Sequence, residues 1–207
     1  MYRYLTFSRI QSYSFILTRM NKSNTVKSGV SPYDIFIIAL TLLSIFNLFL
    51  YYVLSSLNVL YVVGIIDGLL SIVFLIDFVR RFIAAENKTH YFFRGYGWAD
   101  LMASIPLPQF KLLRIFRLIK AYGLIKKAGL RKIIQELKDN RASGALYLIF
   151  FMIVLLLEFG SIAVISAERS DPASNIKTAS DAIWWVYVTI TTVGYGDRYP
   201  VTNGGRI

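Results

Sequence analysis

Asp181-Ala182-Ile183-Trp184-Trp185 leads through Thr191 into Thr192-Val193-Gly194-Tyr195-Gly196-Asp197, and the reading of this stretch decides the fold. Glycine at 194 and 196 permits backbone angles that side chains would forbid. The residues before it, about Ser180–Thr191, form a short helical piece with Ser180 or Asp181 as candidate N-cap. The C-terminal end of such a helix carries partial negative charge and favours a cation. An extended segment beyond it can turn its carbonyls inward, and four such chains can replace the water shell of a bare cation. Thr192 can add its hydroxyl at the inner end, while Val193 and Tyr195 point away and brace the loop. A lone G-x-G would be an ordinary glycine-rich turn. Here the motif follows a short amphiphilic helix in a chain with several apolar runs.

Those runs show in the composition. Of 207 residues, 56% are hydrophobic and 17% charged, with mean hydropathy +0.53. The apolar residues cluster in long stretches, which marks a membrane protein. Cysteine is absent, so no disulfide or Cys-based metal site exists. The one histidine, His90, cannot build a cluster. No Ser/His/Asp, Cys/His or P-loop constellation is present, so the chain is not read as an enzyme, and no cofactor is expected. The net charge of +11 could serve nucleic acid, anionic lipid or a field-sensing helix. No Arg/aromatic RNA-binding motif occurs, which removes nucleic acid.

Ile35–Leu54 carries no charge over 20 residues, enough to cross a hydrocarbon core of about 30 Å. A turn at Ser55, Ser56 and Asn58 precedes a second run, about Val59–Phe82, interrupted by Asp67 and Asp77. A third, weaker segment covers about Tyr96–Leu107 and is closed by Pro106 and Pro108. Lys111–Lys132 holds eight basic residues and no acid, with Leu, Ile and Phe between them. A fifth span covers Ala142–Ala167 with one charge, Glu158, which fits no motif. The basic stretches are residues 1–30, Arg80–Arg94 and Lys126–Arg141. They alternate with the turns at 55–58 and 168–177 if the N-terminus is cytoplasmic. Residues 1–30 read as a basic cytoplasmic arm beside the membrane. Their Arg- and Ser-rich, acid-free composition also resembles a transit peptide.

The segment from Asp181 to Pro200 resembles the pore of voltage-gated potassium channels. That resemblance implies a K⁺ selectivity filter at Thr192, Val193, Gly194, Tyr195 and Gly196, with K⁺ held by the first four. It implies an aromatic cuff in which Trp184 pairs with Asp197 and Trp185 packs near Tyr195; an interfacial aromatic belt is the plainer reading of the two tryptophans. Glu168 matches the glutamate that braces the pore loop, or is a solvated loop acid.

Lys111, Arg114, Arg117 and Lys120 recur every third residue, and Lys126 continues the register beyond Gly123. In a 3₁₀ segment such a row forms a straight stripe. A charge at mid-bilayer costs several kcal/mol, so a periodic row calls for partners or a purpose. Phe74-Leu75-Ile76-Asp77-Phe78-Val79-Arg80-Arg81-Phe82 resembles the family's F-x-x-[DE]-F-x-x-R-F, and Asp100-Leu101-Met102-Ala103-Ser104-Ile105-Pro106 its D-x-x-A-x-x-P. The resemblance makes Phe74 a hydrophobic plug, Asp77 and Asp100 an inner charge-transfer site, Asp67 an outer counter-charge and the basic row the gating charges. A basic amphipathic helix lying on anionic lipid is the alternative, and it suits Lys126–Lys138 in either case.

The sequence therefore predicts an all-α transmembrane chain with a four-helix voltage-sensor bundle followed by a pore module of outer helix, pore helix and filter. The expected divisions are 1–30, a sensor over 31–127, an amphipathic linker over 128–140 and a pore over 141–207, truncated before the inner helix. The resemblance implies a homotetramer in the cell membrane that is multi-pass and touches anionic lipid at its basic loops. It also implies that this assembly conducts K⁺ under voltage control. Gating by a ligand or downstream domain is the alternative, and a sensor module regulating another protein a remoter one.

Overall fold

The computed structural model describes residues 31–54, 56–94, 97–105 and 138–206, with isolated positions between 116 and 135. The basic arm at 1–30 and the predicted gating charges Lys111, Arg114, Arg117 and Lys120 lie outside the described residues. Lys126 is an exposed helical position. Among the described residues all regular structure is helical.

Helix α1 covers Pro32–Val53 and α2 covers Leu57–Ala84. Short helices α3 (Lys88–Phe93) and α4 (Gly97–Ala103) follow. A continuous helical span, Arg141–Glu168, comprises α5 (Arg141–Leu155), a π-helical turn (Leu156–Gly160) and α6 (Ser161–Glu168). Helix α7 is Ala179–Ile190. Three of these, Pro32–Val53, Leu57–Ala84 and Arg141–Glu168, are long and apolar enough to cross a membrane. They lie within a turn of the spans expected from hydropathy.

Local chemistry sets the helix starts. Ser31 caps α1: its hydroxyl accepts from the Asp34 N–H at 3.2 Å, and the Asp34 carboxylate accepts from the Ser31 N–H at 3.1 Å. Pro32 fills the first turn, where its missing N–H costs nothing. Thr178 and Asp181 form the same reciprocal box at the start of α7. The N-cap is thus Thr178 rather than Ser180 or Asp181; Asp181 sits at the third helical position, where its carboxylate reaches back to the cap.

Helix α2 is the hub. Its Ile66, Leu70 and Phe74 pack with Leu40 and Leu43 of α1, and Phe151, Val154 and Leu155 of α5 close this cluster. Its Val59, Val62 and Val63 join Val164 and Ile165 of α6 and Ala179, Ala182 and Val186 of α7. Lipid tails are as apolar as these side chains, so close packing and polar contacts hold such helices together more than the hydrophobic effect does. The polar ties mark two ends. At one, Arg169 donates to the Ser56 hydroxyl and Asn58 to the Lys177 carbonyl. At the other, Tyr147 of α5 stacks on Phe36 of α1 with ring centroids 5.3 Å apart.

Candidate functional site

The loop after α7 follows from how that helix ends. The Val193 N–H donates to the Val188 carbonyl at 3.1 Å and the Thr192 N–H to the Thr189 carbonyl at 3.0 Å. These are the two bonds of a Schellman motif, which requires a left-handed residue just past the cap. That residue is Thr192, at φ 59°. A β-branched residue in this region is strained, and it is the one described non-glycine with positive φ. Gly194 (φ 64°) and Gly196 (φ 75°) repeat the left-handed conformation at alternate positions. Val193 and Tyr195 between them are not left-handed, and a backbone that alternates in this way can turn successive carbonyls toward one side, as a row of cation-binding oxygens needs. The Val193 and Tyr195 side chains are exposed in the single chain.

Struts fix this loop to the helices. Trp184 Nε1 donates to Asp197 Oδ2 at 2.9 Å. The Trp184 and Tyr195 rings stack with centroids 5.9 Å apart and planes 1° from parallel. The sequence reading assigned the Tyr195 contact to Trp185. Within the chain Trp185 instead packs against the Val59–Val186 cluster, because adjacent residues of a helix point about 100° apart. Glu168 is fully buried at the end of α6. Its carboxylate accepts from the Val201 N–H at 3.1 Å, the Thr202 N–H at 2.9 Å and the Thr202 hydroxyl at 2.7 Å. It is a brace, not a solvated acid.

A second set of struts has no signal in the sequence motif. Asn175 Nδ2 donates to the Asp197 carbonyl at 3.1 Å, and Asn175 Oδ1 accepts from the Tyr199 N–H at 3.2 Å. Arg198 donates to the Asn175 carbonyl at 2.7 Å and pairs with Asp181 at 3.0 Å. Burial alone would raise the Asp181 carboxyl. The Thr178 hydroxyl, the Thr178 and Lys177 N–H groups and the Arg198 charge outweigh it and hold the group below the usual range.

The sensor residues form a second polar centre. Phe74 is fully buried between α1 and α2. One turn on, Asp77 receives Arg81 Nε at 2.8 Å and the Tyr33 hydroxyl at 3.1 Å, with Arg80 at 3.8 Å. Arg81 also reaches Asp34 at 3.0 Å. Asp100, buried on α4, accepts from the Tyr91 hydroxyl at 3.3 Å and acts on the Arg81 charge. Burial first, and then the Asp100 charge, push the Tyr91 phenol up to about 12. Arg81 thus joins Asp77 and Asp34 directly, with the Asp100 charge acting on it from α4; the sequence motif gives it no role. Asp34, Tyr33 and Tyr91 belong to the same network and were also missed; the capping box at Ser31 was the one available signal for Asp34. Asp67 lies one helical stretch away on α2, buried, with the Ser44 hydroxyl donating to it at 3.3 Å.

A bundle of membrane-crossing helices joined to a short helix and a carbonyl-bearing glycine loop is the build of an ion channel. The family model described as "Ion transport protein" matches residues 30–207, and the chain belongs to that family. It is 44% identical over 79 residues to "Potassium voltage-gated channel subfamily A member 2" of Oncorhynchus mykiss, covering 38% of this chain and 16% of that protein. It is 48% identical over 60 residues to "Potassium voltage-gated channel subfamily A member 4" of Homo sapiens, covering 29% and 9%. To "Voltage-gated potassium channel" of Aeropyrum pernix it is 38% identical over 76 residues, covering 37% and 26%. The chain thus spans well under two thirds of these relatives. Its kinship is with voltage-gated potassium channels and not with enzymes.

Proposed function

We propose that this chain is a subunit of a voltage-gated K⁺ channel. The observation that carries the reading is the alternation of left-handed backbone at Thr192, Gly194 and Gly196, directly after a helix whose C-terminal end favours a cation. Carbonyls of Thr192, Val193, Gly194 and Tyr195 hold dehydrated K⁺. One chain supplies one side of such a site, so four copies assemble around it, and the exposed Val193 and Tyr195 rest against neighbouring copies. The spans lie in the cell membrane with the N-terminus cytoplasmic, which puts the Ser56–Arg169 end outside and the Arg81–Arg141 end against anionic inner lipid.

The basic row from Lys111 to Lys126 moves in the field and biases the gate, with Phe74 as plug and Asp67, Asp77 and Asp100 as counter-charges. Moving one charge across 100 mV is worth about 2.3 kcal/mol. Several charges in each of four subunits therefore suffice to drive a conformational change. The test is current from the complete channel subunit carrying this sequence, in planar bilayers with K⁺ on one side and Na⁺ on the other. A reversal potential near that for K⁺ supports the filter reading, and equal permeability sinks it. Neutralising Arg114 and Arg117 to Gln should shift the opening voltage. An unshifted curve favours control by a ligand or another domain.

A further inference from the structure

Glu158 stands in the middle of the Arg141–Glu168 span, inside the π-helical turn, and is fully buried. Neither of its carboxylate oxygens has a partner at full hydrogen-bond geometry, and the nearest donor acting on it is the Asn47 amide. The groups that face it are Asn47 from α1 and Asp67 from α2. Asn47 is itself fully buried, with both amide nitrogen and amide oxygen unengaged. Ser161, one turn along the same span, is fully buried with its hydroxyl oxygen unengaged. Ser44, on the Asn47 face of α1, donates to Asp67. From α7, Val186 lies against Gly160 of this turn. Glu158 and Asp67 are thus the two ionisable groups that the described helices bring to this place.

A buried carboxylate without a partner costs several kcal/mol, and a second acid facing it raises that cost. Sequences rarely retain such a group unless something compensates it. Single π-helical turns inside α-helices recur at functional sites, where the extra residue re-aims a side chain. This turn aims Glu158 at the seam between the α1–α2 pair and the span that leads to the filter. All the donors there are oxygens, apart from the Asn47 amide nitrogen, and hard oxygen donors suit a proton or an alkali-metal ion.

We propose that Glu158, Asn47, Asp67 and Ser161 form a binding site for one small hard cation, a proton or an alkali-metal ion, between the sensor helices and the pore's outer helix. The site is separate from the filter and uses carboxylates where the filter uses backbone carbonyls. Its occupancy removes one of the two negative charges at the seam, relieves the repulsion between Glu158 and Asp67, and lets α1, α2 and the outer helix pack closely. The proposal does not depend on conduction or on voltage control.

The test uses the full chain reconstituted in phosphatidylcholine vesicles. Infrared difference spectra of the carboxyl groups are recorded over a pH series and with K⁺, Na⁺ or N-methylglucamine as the added cation. One carboxyl band that responds and that Glu158→Gln abolishes is expected. A protonated C=O band that titrates with pH and ignores the added cation identifies the proton. A carboxylate band that moves when K⁺ or Na⁺ replaces N-methylglucamine identifies the alkali ion. Asn47→Leu keeps the carboxyl but removes the facing amide, and should shift the midpoint of either response by about tenfold. It carries the test alone if Glu158→Gln fails to insert. No Glu158-dependent response to pH or cation, or a midpoint unmoved by Asn47→Leu, overturns the proposal and leaves the carboxylate permanently compensated within the protein.

Discussion

Trp184 on α7 donates its indole N–H to the carboxylate of Asp197 at 2.9 Å, while its ring lies parallel to that of Tyr195 with centroids 5.9 Å apart. One side chain thereby ties α7 to both the middle and the far end of the loop. Both partners are solvent-exposed, so the bond contributes about 1 kcal/mol, below the range for buried bonds to charged groups. Trp184→Phe keeps an aromatic face and loses the donor. Amide exchange at Tyr195–Arg198 should accelerate about fivefold, with exchange in α2 unchanged. Equal exchange in both proteins would mean that the Asn175 and Arg198 struts hold the loop alone.

Glu168 offers a stronger case because it is buried and receives three donors. Glu168→Gln should lower stability by about 2 kcal/mol, and Glu168→Ala by about 3 kcal/mol, since it strands the Val201 and Thr202 N–H groups. Thr202→Val removes one donor and should cost about 1 kcal/mol. The double variant Glu168→Ala/Thr202→Val should cost less than the sum of its parts. Thermal unfolding of the purified protein in detergent reads all of them.

Gly205 depends on the same brace. A Cβ there would collide with the Glu168 carboxylate and lie 2.9 Å from Pro200 Cβ. Backbone or carboxylate must move to admit it, which typically costs about 1–3 kcal/mol. Gly205→Ala should therefore reproduce much of the Glu168→Gln loss in the same unfolding measurement. Little additional loss should appear when the two are combined, because both act on one contact.

Arg81 joins two carboxylates from different helices, Asp77 through Nε and Asp34 through Nη2. A lysine has one ammonium and no fork, so it cannot span both. Arg81→Lys should cost about 1 kcal/mol. Arg81→Gln should cost about 2 kcal/mol, because it leaves Asp77 buried with only Tyr33 and Arg80 beside it. Restoring stability by the second change Asp77→Asn in the Arg81→Gln background would confirm that the buried acid, and not the lost packing, carries the penalty.

Much of this architecture is legible in the residues. The three long spans follow from the length of their apolar runs, and the short helix α7 and its loop from one motif. What escapes reading has identifiable causes. Thr192 takes the left-handed cap position that sequence rules assign to glycine, so its strain shows only in the bonds to Val188 and Thr189. The π-helical turn at Leu156–Gly160 has no period of its own, and Glu158 looks like an isolated acid until α1 and α2 are packed against it. Asn175 and Arg198 reach their partners across a turn whose path no local pattern fixes. Arg81 stands in the sequence only as the arginine of the F-x-x-[DE]-F-x-x-R-F match, and its bond to Asp77 one turn back and to Asp34 of α1 shows only once the helices are packed.

The last prediction concerns acid. The Asp181 carboxyl is held below its ordinary value by the Thr178 and Lys177 donors and by Arg198, and it lies in the first turn of α7, where negative charge is favoured. A carboxyl depressed in the folded state contributes stability that is fully present above its unfolded pKa, about 3.9. That contribution fades as pH falls toward and through the folded value, because the unfolded chain takes up the proton first. Tryptophan emission of a Trp98→Phe background, which leaves Trp184 and Trp185 as the emitters, followed through thermal unfolding at a series of acidic pH values, should show stability declining below about pH 4. Asp181→Asn should be less stable at neutral pH and should lack that part of the decline. If the variant declines with acid as steeply as the parent, the acid-sensitive group lies elsewhere, and the Thr178–Asp181–Arg198 strut is not what holds the start of the pore helix.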